Sequence, residues 1–200
     1  MLKHLLGILF SPDREWDIID HEESGSLVRL YLTHVMILAA IPAISGYIGA
    51  SVVGWKVGNG DPVRLASDVA LVMAILGYIA ACGGVVVMGI FIHWMAKTYG
   101  SDPSLYRCIV LSAYTATPLF IISIFAVYPV LWVIMLAALA AISHAVYLLY
   151  HGIPIMMHIP KEQGFLYASS VLTASLVVLV ASVAGMIILI STGLSFTFVS

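Results

Sequence analysis

The sequence predicts an all-α, polytopic membrane protein with five transmembrane helices in a compact bundle and an N-terminal cytoplasmic amphipathic helix. Three observations predict this fold. The 200-residue chain is 62% hydrophobic and only 9% charged, whereas a soluble domain carries about 25% charged residues. Residues 109–150 contain no Asp, Glu, Lys or Arg, and six of the ten acidic residues lie within residues 1–28. We therefore divide the chain into an N-terminal segment, 1–28, and a transmembrane domain, 29–200.

The uncharged stretch at 109–150 is too long for a single crossing of the bilayer. Its 42 residues would form a helix of about 63 Å, which is twice the roughly 30 Å of the hydrocarbon core. Tyr128-Pro129 lies near its middle, where a proline ends a helix. The stretch is interpreted as two transmembrane helices joined by a tight turn. Three further apolar segments, near 30–53, 69–95 and 169–190, complete the five.

The basic residues predict the orientation of the helices. Five crossings place the two termini on opposite sides, and cytoplasmic flanks carry an excess of Lys and Arg. One side has six basic residues: Lys3, Arg14, Arg29, Lys97, Arg107 and Lys161. The other side has two, Lys56 and Arg64. We therefore expect a cytoplasmic N-terminus and a C-terminus on the opposite side.

The first 28 residues are predicted to form a short helix at the membrane surface. Ser11-Pro12 is typical of an N-cap followed by proline at the first helical position, with Asp13 and Glu15 in the first turn. These two acids, together with Asp17 and Arg14, are interpreted as a solvated face. The residues assigned to the membrane-surface helix are Phe10, Pro12, Trp16 and Ile19, with Leu2, Leu5 and Leu6 dipping into the interface. The alternative is a partly ordered tail.

A proline-containing step in the third crossing is a candidate kink or cavity. Pro118 removes one backbone hydrogen bond and frees the carbonyl of Tyr114, and Thr115 and Thr117 can satisfy backbone groups nearby. Pro42 invites the same interpretation in the first crossing. Such a step is either a packing kink or the lining of a cleft for a ligand or partner.

Histidines are the second group of candidate functional residues. His144 and His151 are seven residues apart and share a helix face, and His93 lies at the end of the second crossing. They form a candidate proton or metal site near the cytoplasmic end of the bundle. The alternative is three separate interfacial histidines bonded to water or backbone. The metal is left unknown, because no HxxxH or CxxC spacing is present, and no cofactor is predicted.

Several function classes are disfavoured by the sequence. No nucleophile–base set, phosphate loop or carboxylate pair is visible, so we expect no enzyme activity. The net charge of −2 argues against a nucleic-acid partner. No charged residue lies inside a predicted helix, which argues against an ion-coupled secondary transporter.

Three motifs, in this order, resemble the Yip family (Ypt/Rab-interacting, "Yip one" domain). They are Leu9-Phe10-Ser11-Pro12, Tyr114-xxx-Pro118 and the octapeptide at 147–154, YLLYHGIP. The resemblance covers nearly the whole chain and points to the bacterial YohC-like branch. It implies a multi-pass protein of the bacterial inner (plasma) membrane, in which the orientation predicted from the basic residues places the C-terminus in the periplasm. The Rab-binding role of eukaryotic members is not carried over, because Ala113 replaces the glycine of their Gly-Tyr-xxx-Pro motif and their Asp-Leu-Tyr-Gly-Pro motif is missing.

Two functions follow as hypotheses. The first is a non-enzymatic protein that binds membrane lipids, itself as a homo-oligomer, or another membrane protein, and so organises the membrane. The second is a transporter, channel or lipid-translocating protein whose path is lined by the kinked helices and the histidines. Convergence of Tyr114, Thr117 and His144 on a wet cavity would favour the second hypothesis, whereas a dry, packed bundle would favour the first.

Overall fold

The computed structural model describes residues 3–21, 26–55, 63–192 and 198–199. Leu2 and Lys56, named above, lie outside these ranges. Within them, five helices are long and apolar enough to cross a membrane, which confirms the predicted fold class. We number them α3 (Leu27–Val53), α4 (Ser67–Ala96), α5 (Leu105–Ile122), α6 (Leu131–Met157) and α7 (Lys161–Thr192).

The predicted helical pair at 109–150 is present as α5 and α6. A 3₁₀ turn at Ser123–Val127 ends α5, and α6 begins at Leu131. The break therefore falls at Tyr128-Pro129, as the proline predicts. At the opposite end, α6 continues through Pro154 to Met157 and is closed by His158, whose φ of 52° is left-handed.

Helix α5 is the central element of the bundle. In its most apolar stretch 56% of the residues are buried inside the protein, against 6% for α4. Gly89 lets α4 approach α5, because a Cβ at that position would lie 2.5 Å from Cγ1 of Ile109 and 2.9 Å from its Cα. In a lipid bilayer the hydrophobic effect does not drive helices together, so van der Waals packing at small residues stabilises their association instead.

Helix α3 is interrupted by two π-helical turns, Tyr31–Val35 and Ile48–Val53. Each π turn accommodates an extra residue and redirects the side chains before it, and such turns are frequent at functional sites. Pro42 lies between them and is half-buried. The turn after it is fixed by Ser45, whose hydroxyl lies 2.8 Å from the carbonyl oxygen of Ser123 at the end of α5.

Two short helices, α1 (Lys3–Phe10) and α2 (Pro12–His21), precede the bundle. We call them the N-terminal hairpin, and the end of the bundle on which they lie the inner end. At the other end, strands β1 (Arg64–Leu65) and β2 (Phe198–Val199) form a two-stranded antiparallel ribbon.

The N-terminal hairpin packs into the bundle, and this corrects part of the prediction for its residues. Trp16 is fully buried and Ile19 nearly so, in the same apolar core as residues of α3 to α7, and Pro12 is also buried. These three side chains therefore face protein rather than the lipid interface. Phe10 does not share their face, since 81% of it is exposed. Burying an indole against helix ends removes more apolar surface from water than immersing one edge in headgroups.

Candidate functional site

Four helices meet around the ring of Tyr114 at the inner end of the bundle. The ring of His34, from the first π turn of α3, lies 4.6 Å from it between centroids. His4 of α1 and Trp16 of α2 present edges to it at 6.2 and 6.3 Å. All four side chains are almost completely buried. We call these four residues, with Thr117, the aromatic cluster.

A glycine forms the seat for Trp16. A Cβ on Gly152 of α6 would lie 2.7 Å from Cε2 of the indole and 2.7 Å from Cδ1 of Leu111. The indole therefore occupies the space that any larger residue at 152 would need. Gly152 is the glycine of the YLLYHGIP motif. A glycine is required at this position because the indole of Trp16 fills the space of a side chain.

Thr117 determines which nitrogen of His34 carries a proton. The Thr117 hydroxyl donates to the carbonyl oxygen of Ala113 at 3.1 Å. Its oxygen therefore accepts from Nε2 of His34, which lies 3.0 Å away. In a neutral imidazole with Nε2 protonated, Nδ1 is an acceptor. Nδ1 of His34 is buried and has no hydrogen-bond partner among the described residues.

Replacing Thr117 with valine should remove the acceptor for the His34 N–H without changing side-chain volume much. We expect the free energy of unfolding to fall by about 1–3 kcal/mol, the usual cost of an unsatisfied buried donor. Thr117→Ser keeps the hydroxyl and is the matched control. Denaturant unfolding of the detergent-solubilised protein measures both variants. A loss of stability in Thr117→Ser without a loss in Thr117→Val would show that the methyl group, not the hydroxyl, is what matters.

The predicted kink residues are only partly brought together. Tyr114, Thr117 and Pro118 are buried on one side of α5. Thr115 is half-buried, and its hydroxyl has no partner among the described residues. Pro42 belongs to another region, since the turn that follows it contacts the opposite end of α5 through Ser45.

A second group of side chains attaches α2 to the spans. The two carboxylate oxygens of Asp20 have different partners. Oδ1 lies 2.7 Å from Nη2 of Arg107, and Oδ2 lies 2.7 Å from Nε2 of His158. Nη2 of Arg107 also donates to the backbone carbonyl of Asp20 at 3.1 Å. The carboxylate is therefore held by a cation from the start of α5 and by the imidazole that ends α6.

The hairpin itself is closed by His4 and Glu15. Nδ1 of His4 lies 2.5 Å from Oε1 of Glu15, and both side chains are largely buried. Gly7 makes this possible, because a Cβ there would overlap with the Glu15 carboxylate. Glu15 is thus not part of a solvated acidic face, as its spacing from Asp13 and Asp17 had suggested.

The three predicted histidines do not form a metal site. His93 bonds through Nδ1 to the carbonyl oxygen of Pro103 at 3.1 Å, and His151 bonds through Nδ1 to that of Tyr147 at 2.9 Å. His144 contacts the Tyr147 ring at 6.0 Å between centroids. Over the described ranges, no group of three His, Cys, Asp or Glu side chains could hold a metal. His93 is thus held at Pro103, whereas His144 and His151 both contact Tyr147, and the described structure does not bring the three predicted ligands together.

Sequence reasoning missed His34 and His4 as site residues. A signal was available for His34, which is the sole imidazole in the predicted crossing at 30–53. Such residues are costly in a membrane and are usually functional or paired. No comparable signal existed for His4, whose partner becomes visible only when α1 folds back on α2.

Comparison with known proteins gives a consistent set of matches. A family model described as the Yip1 domain matches residues 6–182. Two relatives named inner membrane protein YohC, from Escherichia coli strain K12 and from Escherichia coli O6:H1, are each 39% identical over 178 residues. These alignments cover 89% of this chain and 91% of each relative. No solved structure matches the chain.

Proposed function

The chain belongs to the Yip1 domain family, and from that premise we propose that it is a non-enzymatic inner-membrane protein that binds lipid and organises the membrane. A multi-pass location in the inner membrane is supported by its relatives' name and by the five apolar helices. The proposal adds to this location an action on the inner leaflet through the N-terminal hairpin.

The observation that carries the proposal is the closed inner end of the bundle. Tyr114 and Thr117, which would line a path through the membrane, are instead packed against His34 and covered by Trp16. Buried side chains in van der Waals contact leave no route for a solute at this point. Close packing at this point supports a binding or organising protein over a transporter.

The exposed face of α1 supports lipid as the partner. Leu6 and Phe10 are one helical turn apart, and 65% and 81% of them are exposed. The other face of α1 is used for packing, because Ile8 is fully buried. A helix that packs on the bundle through one face and exposes an apolar outer face is suited to the headgroup–acyl boundary. The hairpin would hold these two side chains at a fixed depth.

Orientation and self-association complete the proposal. The inner end carries the basic residues Arg14, Arg29, Lys97, Arg107 and Lys161, so we place it in the cytoplasm and the C-terminus in the periplasm.

A second copy of the chain or another membrane protein could use the exposed small residues of α4, where a Cβ at Gly77, Gly83 or Gly84 would meet nothing within 4 Å.

Immersion of Phe10 in lipid can be measured with a spin label. We expect a label at Phe10→Cys, on a background with the native cysteines replaced, to collide more often with oxygen than with a water-soluble nickel chelate. The label should resemble one at Ile79→Cys, on the exposed face of α4, and differ from one at Asp13→Cys, which is solvent-exposed. Vesicles of phosphatidylethanolamine and phosphatidylglycerol provide the bilayer. A label at position 10 that behaves like the one at 13 would overturn lipid contact by α1.

The organising role has its own readout. Vesicles containing the wild-type protein should differ in diameter distribution from vesicles containing Leu6→Ser/Phe10→Ser, and cryo-electron microscopy measures the difference. Ile18→Ser, a partly exposed apolar position on α2, is the control. Equal distributions for wild type and double variant would contradict the role even if Phe10 is immersed.

A transporter, channel or lipid-translocating protein is the second candidate. Buried polar atoms without described partners support it: Nδ1 of His34, Nε1 of Trp16, Oγ1 of Thr115 and Nε2 of His144. Such atoms are rare in proteins and mark bound water or function. Ion or lipid flux in proteoliposomes that falls in His144→Ala would establish this candidate in place of the first.

A further inference from the structure

The exposed side chains of α6 change from apolar to polar at the middle of the helix. The helix has 27 residues, and His144 is the central one. Up to Ile142 every exposed side chain is apolar, namely those of Leu131, Trp132, Met135, Leu136, Leu139, Ala140 and Ile142. From there to the inner end, the exposed side chains of α6 are those of Ser143 and Tyr147. The outer half of this face is therefore apolar and the inner half polar.

The polar half is a continuous row of side chains. The ring of Tyr147 lies 6.0 Å from that of His144 and 4.0 Å from that of His151, between centroids. We call Ser143, His144, Tyr147 and His151 the polar track. At its inner end, Nε2 of His151 lies 3.8 Å from a carboxylate oxygen of Asp13 on α2, and 71% of the Asp13 side chain is exposed. The track extends over about 12 Å of helix, from the middle of α6 toward the inner end of the bundle.

A row of this kind is costly against acyl chains. Polar residues inside a span usually face the protein interior or a wet cavity, whereas the track lies on an exposed face. Nε2 of His144 has no hydrogen-bond partner among the described residues, and acyl chains cannot supply one. A bilayer accommodates polar groups at depth by local thinning, which brings water and headgroups to them. We therefore expect lipid headgroups to reach the track from the inner end.

The inner end of the track offers two hydrogen-bond acceptors side by side. Nδ1 of His151 donates to the carbonyl oxygen of Tyr147 at 2.9 Å, so Nε2 of the neutral ring is an acceptor. The Asp13 oxygen beside it is also an acceptor, and their separation of 3.8 Å is too long for a direct hydrogen bond. An ammonium group can donate to both. One helical turn deeper, the exposed phenol of Tyr147 can donate to a phosphate oxygen.

We propose that the polar track binds the headgroup of an ethanolamine phospholipid from the leaflet at the inner end, with the ammonium group between Asp13 and His151 and the phosphate at Tyr147. A phosphatidylglycerol headgroup has no ammonium group and is repelled by the Asp13 carboxylate. The bound headgroup lies deeper than its neighbours, so the leaflet is thinner beside α6. This inference deepens the proposed lipid binding, on which it rests, and adds a surface separate from Leu6 and Phe10 of α1.

Phosphorus NMR of the full chain in vesicles of phosphatidylethanolamine and phosphatidylglycerol tests the site. A nitroxide at Ser143→Cys, on a background with the native cysteines replaced, should relax the phosphorus of phosphatidylethanolamine more strongly than that of phosphatidylglycerol. A nitroxide at Val87→Cys should show no such preference, because Val87 is exposed on the apolar surface of α4. Asp13→Asn should abolish the preference seen from position 143. Asp17→Asn removes another exposed carboxylate of α2 and should retain it.

Collisions with a water-soluble nickel chelate measure the thinning independently. In a bilayer of uniform thickness, a label at Leu139→Cys would collide more often than one at Ser143→Cys, because Ser143 is nearer the middle of α6. We expect the reverse order, and His144→Leu/Tyr147→Leu/His151→Leu should restore the uniform one. Equal relaxation of the two phospholipids from position 143, or the uniform order in the otherwise unchanged chain, would overturn the site. A label at Phe10 that contacts water would instead contradict lipid binding by α1 and leave both readouts intact.

Discussion

Replacing Trp16 with alanine should lower the free energy of unfolding by about 3–5 kcal/mol, the range observed when a buried indole is removed from a packed core. The indole is fully buried between Tyr114, Leu111 and Gly152. Gly152 has no side chain that could fill the space left by the indole. The hairpin should also lose its largest apolar contact with the bundle, because only the smaller buried side chains of Pro12 and Ile19 remain on α2.

Two measurements check this expectation. Denaturant unfolding in detergent gives the stability, and limited proteolysis at residues 12–21 reports release of the hairpin. Trp94→Ala is the matched control, since 73% of that indole is exposed on α4, and it should change stability by less than about 0.5 kcal/mol. Equal effects of the two substitutions would show that Trp16 does not hold the hairpin.

Gly49→Ala is expected to separate α3 from the end of α5. A Cβ at position 49 would overlap with the backbone carbonyl oxygen of Ala126. A backbone atom cannot turn aside as a side chain can, so one of the two helices has to shift. Overpacking of this kind costs about 1–3 kcal/mol or more, and we expect the upper part of that range.

The neighbouring glycine provides the control for Gly49. Gly46 lies in the same helix, and a Cβ there would meet nothing within 4 Å. Gly46→Ala should leave stability unchanged or raise it by up to about 1 kcal/mol, because alanine is the better helix former. Thermal unfolding of both variants in the same detergent gives the comparison. A loss in Gly46→Ala as large as that in Gly49→Ala would refute the close-approach explanation.

The number and type of the helices were predictable because the bilayer imposes a simple rule. Every crossing needs about 20 apolar residues, and a long uncharged stretch with a central proline has to turn back. The paired helices around Tyr128-Pro129 follow from this rule alone. The π turns of α3 do not, because they depend on how His34 and Gly49 fit against α5 rather than on any local pattern.

The candidate site was predictable only in part. Tyr114 and Thr117 were identifiable from the proline step, since Pro118 marks α5 as irregular. Their partners His4 and Trp16 come from a segment whose acidic, amphipathic pattern equally describes a helix at the membrane surface. What separates the two outcomes is the space left by Gly152 on α6, and a sequence does not show which glycine faces which indole.

The contrast between α4 and α5 affects how much variation each span can tolerate. Helix α4 is surrounded mainly by lipid, which accepts apolar side chains of any shape, so exchanges among leucine, isoleucine, valine and phenylalanine satisfy it equally. Helix α5 is surrounded by protein, so each of its side chains has to match the volume and polarity of a particular neighbour. The identity of a side chain therefore constrains the arrangement of the bundle more often in α5 than in α4.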